Sequence, residues 1–112
     1  PVTEVWLNRS PNADDVWKQL LRAKAQGQSM AVGTYGTAEQ ARYRGTGVYA
    51  NHAYSVVDVV DKAGVRHVVL RNPWGSGKGV SSGVTGSAPV DGGVFSVKLA
   101  DALALFQVLN IA

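Results

Sequence analysis

Residues 48–61, VYANHAYSVVDVVD, and residues 65–72, VRHVVLRN, are two apolar runs rich in β-branched side chains, parted only by Lys62, Ala63 and Gly64. Such runs favour extended backbone, and a short Gly-containing break between them predicts a β-hairpin. The hairpin fixes where the chemistry-bearing residues fall. With Lys62 and Ala63 as the turn, Asp61 faces Gly64 and His52 faces Pro73. With Ala63 and Gly64 as the turn, His52 faces Gly75. In either register His52 lies beside Asn72–Gly75 at the open end of the ribbon. Directly opposed side chains have Cβ atoms roughly 5 Å apart and diagonal neighbours roughly 7–8 Å apart. The sequence therefore predicts a hydrogen bond between the imidazole of His52 and the carboxamide of Asn72.

Such a bond has a chemical use. A histidine acting as a general base must hold one tautomer and one ring orientation, and a carboxamide oxygen accepting from one ring nitrogen fixes both. The other nitrogen is then directed at a nucleophile. Trp74, two residues beyond Asn72, is placed to shield the bond from water, which strengthens it. Taken singly, a histidine in an apolar strand is ordinarily structural, and Asn72-Pro73-Trp74-Gly75 is a turn motif. Their meeting across one hairpin sets them apart. His67, mid-strand with no evident partner, reads as structural. Two histidines with no cysteine and no His-x-x-x-His spacing make a poor zinc ligand set.

Working outward, Val2, Val5 and Leu7 suggest an extended segment within residues 1–9. Ser10, Pro11 and Asn12 start a helix with Asp14 and Asp15 in its first turn. Its apolar stripe is Val16, Trp17, Leu20 and Leu21, read as core packing, and Gly27 ends it. Ser29–Tyr35 reads as a strand and residues 36–47 as a Gly-punctuated surface loop. Residues 75–93 (GSGKGVSSGVTGSAPVDGG) read as a long loop rather than an interdomain linker. They do not make a phosphate-binding loop, which needs Gly, four residues, then Gly-Lys-Ser/Thr; Lys78 is followed by Gly79. Val94–Lys98 is a strand, Ala100–Leu105 one or two helical turns, and Phe106–Ile111 a closing strand. No internal repeat is visible.

The chain has 112 residues, enough for one domain spanning 1–112 with a modest core. Hydrophobic residues make up 46% and charged ones 17%, a folded composition, and 13 glycines point to a turn-rich β structure rather than a helical bundle. The net charge of +3 is spread thinly, with Arg42 and Arg44 the one tight basic pair, so no nucleic-acid partner is expected. There is no cysteine, which rules out disulfides and an in-chain thiol nucleophile. No apolar run approaches a membrane span and no signal sequence opens the chain, so no membrane partner is expected. Because the first residue is Pro1 rather than methionine, the chain is expected to be a fragment or a processed product.

At its central residues the chain resembles the calpain family. Asn51-His52-Ala53-Tyr54-Ser55-Val56 is similar to the family's Gly-His-Ala-Tyr-Ser-Val, and Arg71-Asn72-Pro73-Trp74-Gly75 to its Arg-Asn-Pro-Trp-Gly. The intervening length fits. Val16–Gly33 resembles the helix and strand that precede the histidine motif, and Asp91–Ile111 the segment that closes the domain. The resemblance implies an α+β, papain-like fold, of which this chain is the β-rich, antiparallel, barrel-like half with one N-terminal helix and one short C-terminal helix. It implies that His52 is general base and then acid, that Asn72 orients it, that Trp74 covers their bond, and that peptides are hydrolysed through a thioester.

Three departures qualify this. The family's cysteine and oxyanion-hole glutamine belong to its other half, so the chain alone is expected to be inactive. Its partners are then a cysteine-bearing half, upstream or on a separate chain, and a protein or peptide substrate. Calcium, bound by some members through acidic residues just after Asn-Pro-Trp-Gly, is not expected where Ser76, Gly77 and Lys78 stand. No other cofactor is expected. Asn51 replaces the usual glycine before the histidine. Two other functions fit the same residues: a non-catalytic binding or regulatory module, and a papain-like acyltransferase or amidase. Without its other half, the face lining the cleft would be an exposed apolar patch prone to self-association.

Overall fold

The computed structural model describes residues 2–72, 89–90 and 93–112. In chain order these form β1 (Thr3–Trp6), a 3₁₀ turn (Leu7–Arg9), α1 (Ala13–Ala25), β2 (Met30–Thr34), 3₁₀ turns within Thr37–Tyr43, β3 (Ala53–Lys62), β4 (Val65–Arg71), β5 (Pro89–Val90), β6 (Val94–Lys98), α2 (Leu99–Leu105) and β7 (Phe106–Ile111). The strands make one sheet in the order β1-β7-β2-β3-β4-β6-β5, with every described pairing antiparallel. This is the α+β arrangement expected, with one N-terminal and one short C-terminal helix. Among the described residues no pairing joins β1 to β5, so the barrel-like closure anticipated from the sequence is not seen there.

Alternation along the strands puts one set of side chains on a common face. Met30, Val32, Tyr54, Val56, Val59, Val68, Leu70, Phe95, Val97, Leu109 and Ile111 are buried. They form one cluster with Val16, Trp17, Leu20 and Ala23 of α1 and Leu99, Ala102 and Leu105 of α2. Burial of this apolar area is the main favourable contribution to the fold.

Helix α1 follows its local signals. Asn12 is the N-cap, its Oδ1 accepting from the Asp15 N–H at 3.1 Å. Asp14 and Asp15 occupy the first turn, Arg22 and Lys24 the last, each matching the helix dipole. The stripe differs in one residue from that expected: Ala23 is buried, whereas Leu21 is 42% exposed. Position 23 continues the step from 16 and 20; position 21 has rotated off that face.

Three segments depart from the sequence expectation. The strand expected from Val48 starts only at Ala53. The backbone of residues 46–51 bonds elsewhere: Val48 N–H to the Thr46 hydroxyl, Tyr49 N–H to the Tyr54 hydroxyl and Asn51 N–H to the Tyr35 carbonyl. These bonds compete with the ladder. The segment expected to be loop, 75–93, contains β5, which pairs with β6 through Pro89↔Phe95 and Val90↔Val94. Apart from β5 and Gly93, that stretch lies outside the described residues. Residues 36–47, also expected to be loop, include the 3₁₀ turns, anchored by the buried Tyr43, whose hydroxyl donates to the Leu105 carbonyl at 2.7 Å.

Candidate functional site

The hairpin turn falls at Ala63-Gly64, with Lys62 opposite Val65. Ala63 and Gly64 both have positive φ, as a tight hairpin of this hand requires. From Lys62 down to Asp58 the partners keep one register, ending at Asp58↔Val69. The next pairs are Val56↔Leu70 and Ser55↔Arg71. Val57 is therefore an extra residue, a β-bulge, and it is 49% exposed.

This bulge decides the site. Partners across a ladder share a face, and neighbours along a strand alternate. Either uninterrupted register expected from the sequence places His52 opposite Pro73 or Gly75, and hence on the face away from Asn72. The extra residue returns Val56, Tyr54 and His52 to the face that carries Val68, Leu70 and Asn72. The hydrophobic effect selects this arrangement, because it buries Tyr54 and Val56 where an unbroken ladder would bury Ser55 and Val57. Around the bulge the Asp58 carboxylate accepts from the Val59 N–H at 2.8 Å, and Lys24 reaches from α1 to the Asp58 carboxylate at 2.7 Å and the Val59 carbonyl at 3.1 Å.

The contact expected from the sequence is present, but it arises through the bulge and not through either uninterrupted register from which it was inferred. His52 Nε2 lies 3.2 Å from Asn72 Oδ1. A carboxamide oxygen only accepts, so the bond requires the proton on Nε2, which makes Nδ1 the basic nitrogen. Asn72 has the one fully buried polar side chain among the described residues, and the main-chain N–H of Asn72 donates to the Gly93 carbonyl at 3.1 Å. The His52 ring meets the edge of Tyr54, with centroids 4.9 Å apart at 81°, and that of Tyr49, at 6.3 Å. Tyr54 is buried and its ring touches Phe95 and Phe106 in turn, so the imidazole leans on the core. Burial raises the phenol pKa of Tyr54, the N–H from Tyr49 opposing the shift.

The main chain at His52 is equally constrained. Asn51 has φ +52, left-handed backbone in which glycine is unstrained and asparagine the next best tolerated. The Thr34 hydroxyl accepts from the His52 N–H at 2.8 Å and donates to the His52 carbonyl at 2.9 Å. The Thr34 N–H donates to the same carbonyl at 2.9 Å.

The family model described as "Calpain family cysteine protease" matches residues 2–82. The chain belongs to the calpain family. Within that family it is 32% identical over 82 residues to the calpain-like protease palB/RIM13 of Aspergillus oryzae, covering 71% of this chain and 9% of the relative. It is 37% identical over 59 residues to the calpain-type cysteine protease DEK1 of Arabidopsis thaliana, covering 53% and 3%. Against the calpain-type cysteine protease ADL1 of Oryza sativa the figures are 33% over 72 residues, 59% and 3%. The chain spans less than a tenth of the length of these curated relatives.

For this calpain-family chain, sequence reasoning named His52 and Asn72 but not the residues that hold them. Thr34, Tyr54 and the Val57 bulge were missed. The one sequence signal for the bulge is the spacing of Tyr54, Val56 and Val59, an alternation broken by a step of three. His67, which showed no evident partner in the sequence, has Nδ1 3.0 Å from the Val65 carbonyl, a local structural contact. Trp74 lies outside the described residues, as do Ser76, Gly77 and Lys78, on which the expectation about calcium rested. Among the described residues no group of three or more His, Cys, Asp or Glu side chains gathers, and no helix is long and apolar enough to cross a membrane. Arg42 of the basic pair is engaged with Glu39 at 2.7 Å and stacks 4.0 Å from the Tyr35 ring.

Proposed function

We propose that this chain is the His- and Asn-bearing part of a calpain-like cysteine endopeptidase, the β-rich half of a papain-like catalytic domain. The observation that carries the reading is the contact at 3.2 Å between His52 Nε2 and the buried Asn72 Oδ1. A module that only binds has no use for a carboxamide buried beside an imidazole and fixing its tautomer.

The chain has no cysteine, so the thiol comes from another polypeptide segment. Nδ1 of His52 takes the thiol proton, and the thiolate adds to the substrate carbonyl. The tetrahedral intermediate collapses to a thioester as His52 returns that proton to the departing amine. His52 then takes a proton from water, the hydroxide adds to the thioester, and the acid leaves while the thiol is re-formed. Asn72 holds the ring through both halves. Tyr49, 38% exposed and edge-on to His52, belongs to the face turned to the substrate and to the cysteine-bearing half. The isolated chain would then self-associate through that face.

The test is to join the chain to a cysteine-bearing calpain half and assay peptide cleavage. Activity should appear and fall by about 10²–10⁴ in His52→Ala, the range of general acid–base catalysis. Unchanged cleavage in that variant contradicts the role. Acyl transfer to an added amine in preference to hydrolysis would make the protein a transferase instead.

A further inference from the structure

The ladder between β2 and β3 ends at Gly33↔Ala53, one residue short of His52. On the other side of His52 stands Asn51 in left-handed backbone. The main-chain bond from the Thr34 N–H to the His52 carbonyl carries the strand contact one step further, and the Thr34 side chain adds two more bonds. Its single hydroxyl serves both His52 main-chain groups, accepting from the N–H at 2.8 Å and donating to the C=O at 2.9 Å. A hydroxyl can do this because it has one proton to give and lone pairs to receive.

We propose that Thr34 is a positioning residue for His52, its hydroxyl setting the direction of the Cα–Cβ bond from which the imidazole reaches Asn72. The role rests on the catalytic reading of His52 and extends it to a side chain 18 positions away in the sequence. The division of labour is geometric. Thr34 fixes where the ring starts, and Asn72 and the Tyr54 edge fix where it ends. The bond from the Thr34 N–H to the His52 carbonyl is open to any residue but proline at 34. The two bonds through the hydroxyl are open only to threonine or serine among residues of this size. A displacement of about 1 Å at a catalytic group can cost about a hundredfold in rate, so a clamp of this kind has catalytic weight without touching substrate.

The experiment reads the imidazole itself. Long-range ¹H–¹⁵N correlation on the 112-residue chain gives the ratio of Nε2–H to Nδ1–H tautomers of His52, which should favour Nε2–H in the unmodified protein. Thr34→Val keeps the branched shape and strand preference but loses the hydroxyl. Thr34→Ala loses the hydroxyl without adding a methyl, so a packing clash from valine cannot mimic the effect. Both should lower the ratio about fivefold, the factor carried by one ordinary hydrogen bond. Thr34→Ser should hold it within about twofold of the unmodified protein, and should do so even if Thr34→Val fails to fold. An unchanged ratio in Thr34→Val and Thr34→Ala, or an equal fall in Thr34→Ser, overturns the assignment. Asn72→Ala separates the two levels. If it lowers the ratio while the hydroxyl-free variants do not, the Thr34 role fails and the His52–Asn72 reading stands. If Asn72→Ala leaves the ratio unchanged, the His52–Asn72 reading itself fails.

Discussion

His52 and Asn72 meet on one face of the sheet because β3 carries one residue, Val57, that β4 does not match. A hairpin with an odd register sum would hold the two side chains on opposite faces, whatever its turn. The bulge changes the parity part-way along the ribbon. It lets Val59 and Val68 pack at the turn end while Val56, Leu70, His52 and Asn72 share the same side at the open end.

Removing the extra residue should therefore be harmless to the site. Deletion of Val57 leaves Asp58↔Val69 and Val56↔Leu70 as successive pairs of a regular ladder, with His52 still on the Asn72 face. The expected outcome is a folded chain whose His52 tautomer ratio is unchanged. Inserting one alanine after Val57 gives the opposite test and should disturb both. Loss of the His52–Asn72 contact in the deletion variant would show that the bulge does more than set parity.

The latch beside the bulge should matter little to overall stability. The Lys24 and Asp58 side chains are 51% and 42% exposed, so screening leaves their pair a contribution of about 0–1 kcal/mol. The hydrogen bond from Lys24 lowers the Asp58 pKa. A lowered folded value means the contribution is present above the unfolded value of about 3.9 and is lost as pH falls through the folded one. Denaturant midpoints of Lys24→Ala, Asp58→Ala and the double variant should show small losses that do not add, and the single-variant losses should shrink in acid.

Asn51 holds a left-handed conformation that side chains adopt at a cost of about 1–2 kcal/mol, less for asparagine than for most. Asn51→Gly should raise stability by up to about 1 kcal/mol, and Asn51→Val should lower it by about 1–2 kcal/mol. The resemblance noted in the sequence has glycine at this position, which the backbone explains. Thermal melts decide the matter.

The phenols of Tyr43 and Tyr54 are both raised by burial, each opposed by a backbone N–H that bonds the hydroxyl, from Tyr35 and Tyr49 respectively. A raised folded pKa means that their contribution is fully present below the unfolded value of about 10 and is lost as pH rises through the folded one. Urea midpoints should fall above pH of about 10 and fall less steeply in a Tyr43→Phe/Tyr54→Phe variant. At neutral pH that variant should be less stable by about 1–3 kcal/mol, because the Tyr35 and Tyr49 N–H groups lose their acceptors.

The sequence made some of this legible and hid the rest for identifiable reasons. The helix start at Asn12, the central hairpin and the closing strand follow from capping, β-branched runs and turn residues, which act locally. The bulge was hidden because Val56, Val57, Val59 and Val60 offer an apolar residue in either phase; only Tyr54 against Ser55 breaks the tie. Thr34 was hidden because a threonine in a strand is unremarked until the chain brings His52 beside it. The strand predicted from Val48 failed because Thr46 and Tyr54 hydroxyls capture the backbone there, a competition that pattern alone does not register.

The proposed catalytic role requires that His52 partner a cysteine. With the chain joined to a cysteine-bearing calpain half, the rate of alkylation of that cysteine by iodoacetamide should be measured against pH. A thiol paired with His52 should react as thiolate well below its free pKa of about 8.5, and His52→Ala should move the profile up toward that value. A profile that is the same with and without the imidazole would contradict the account.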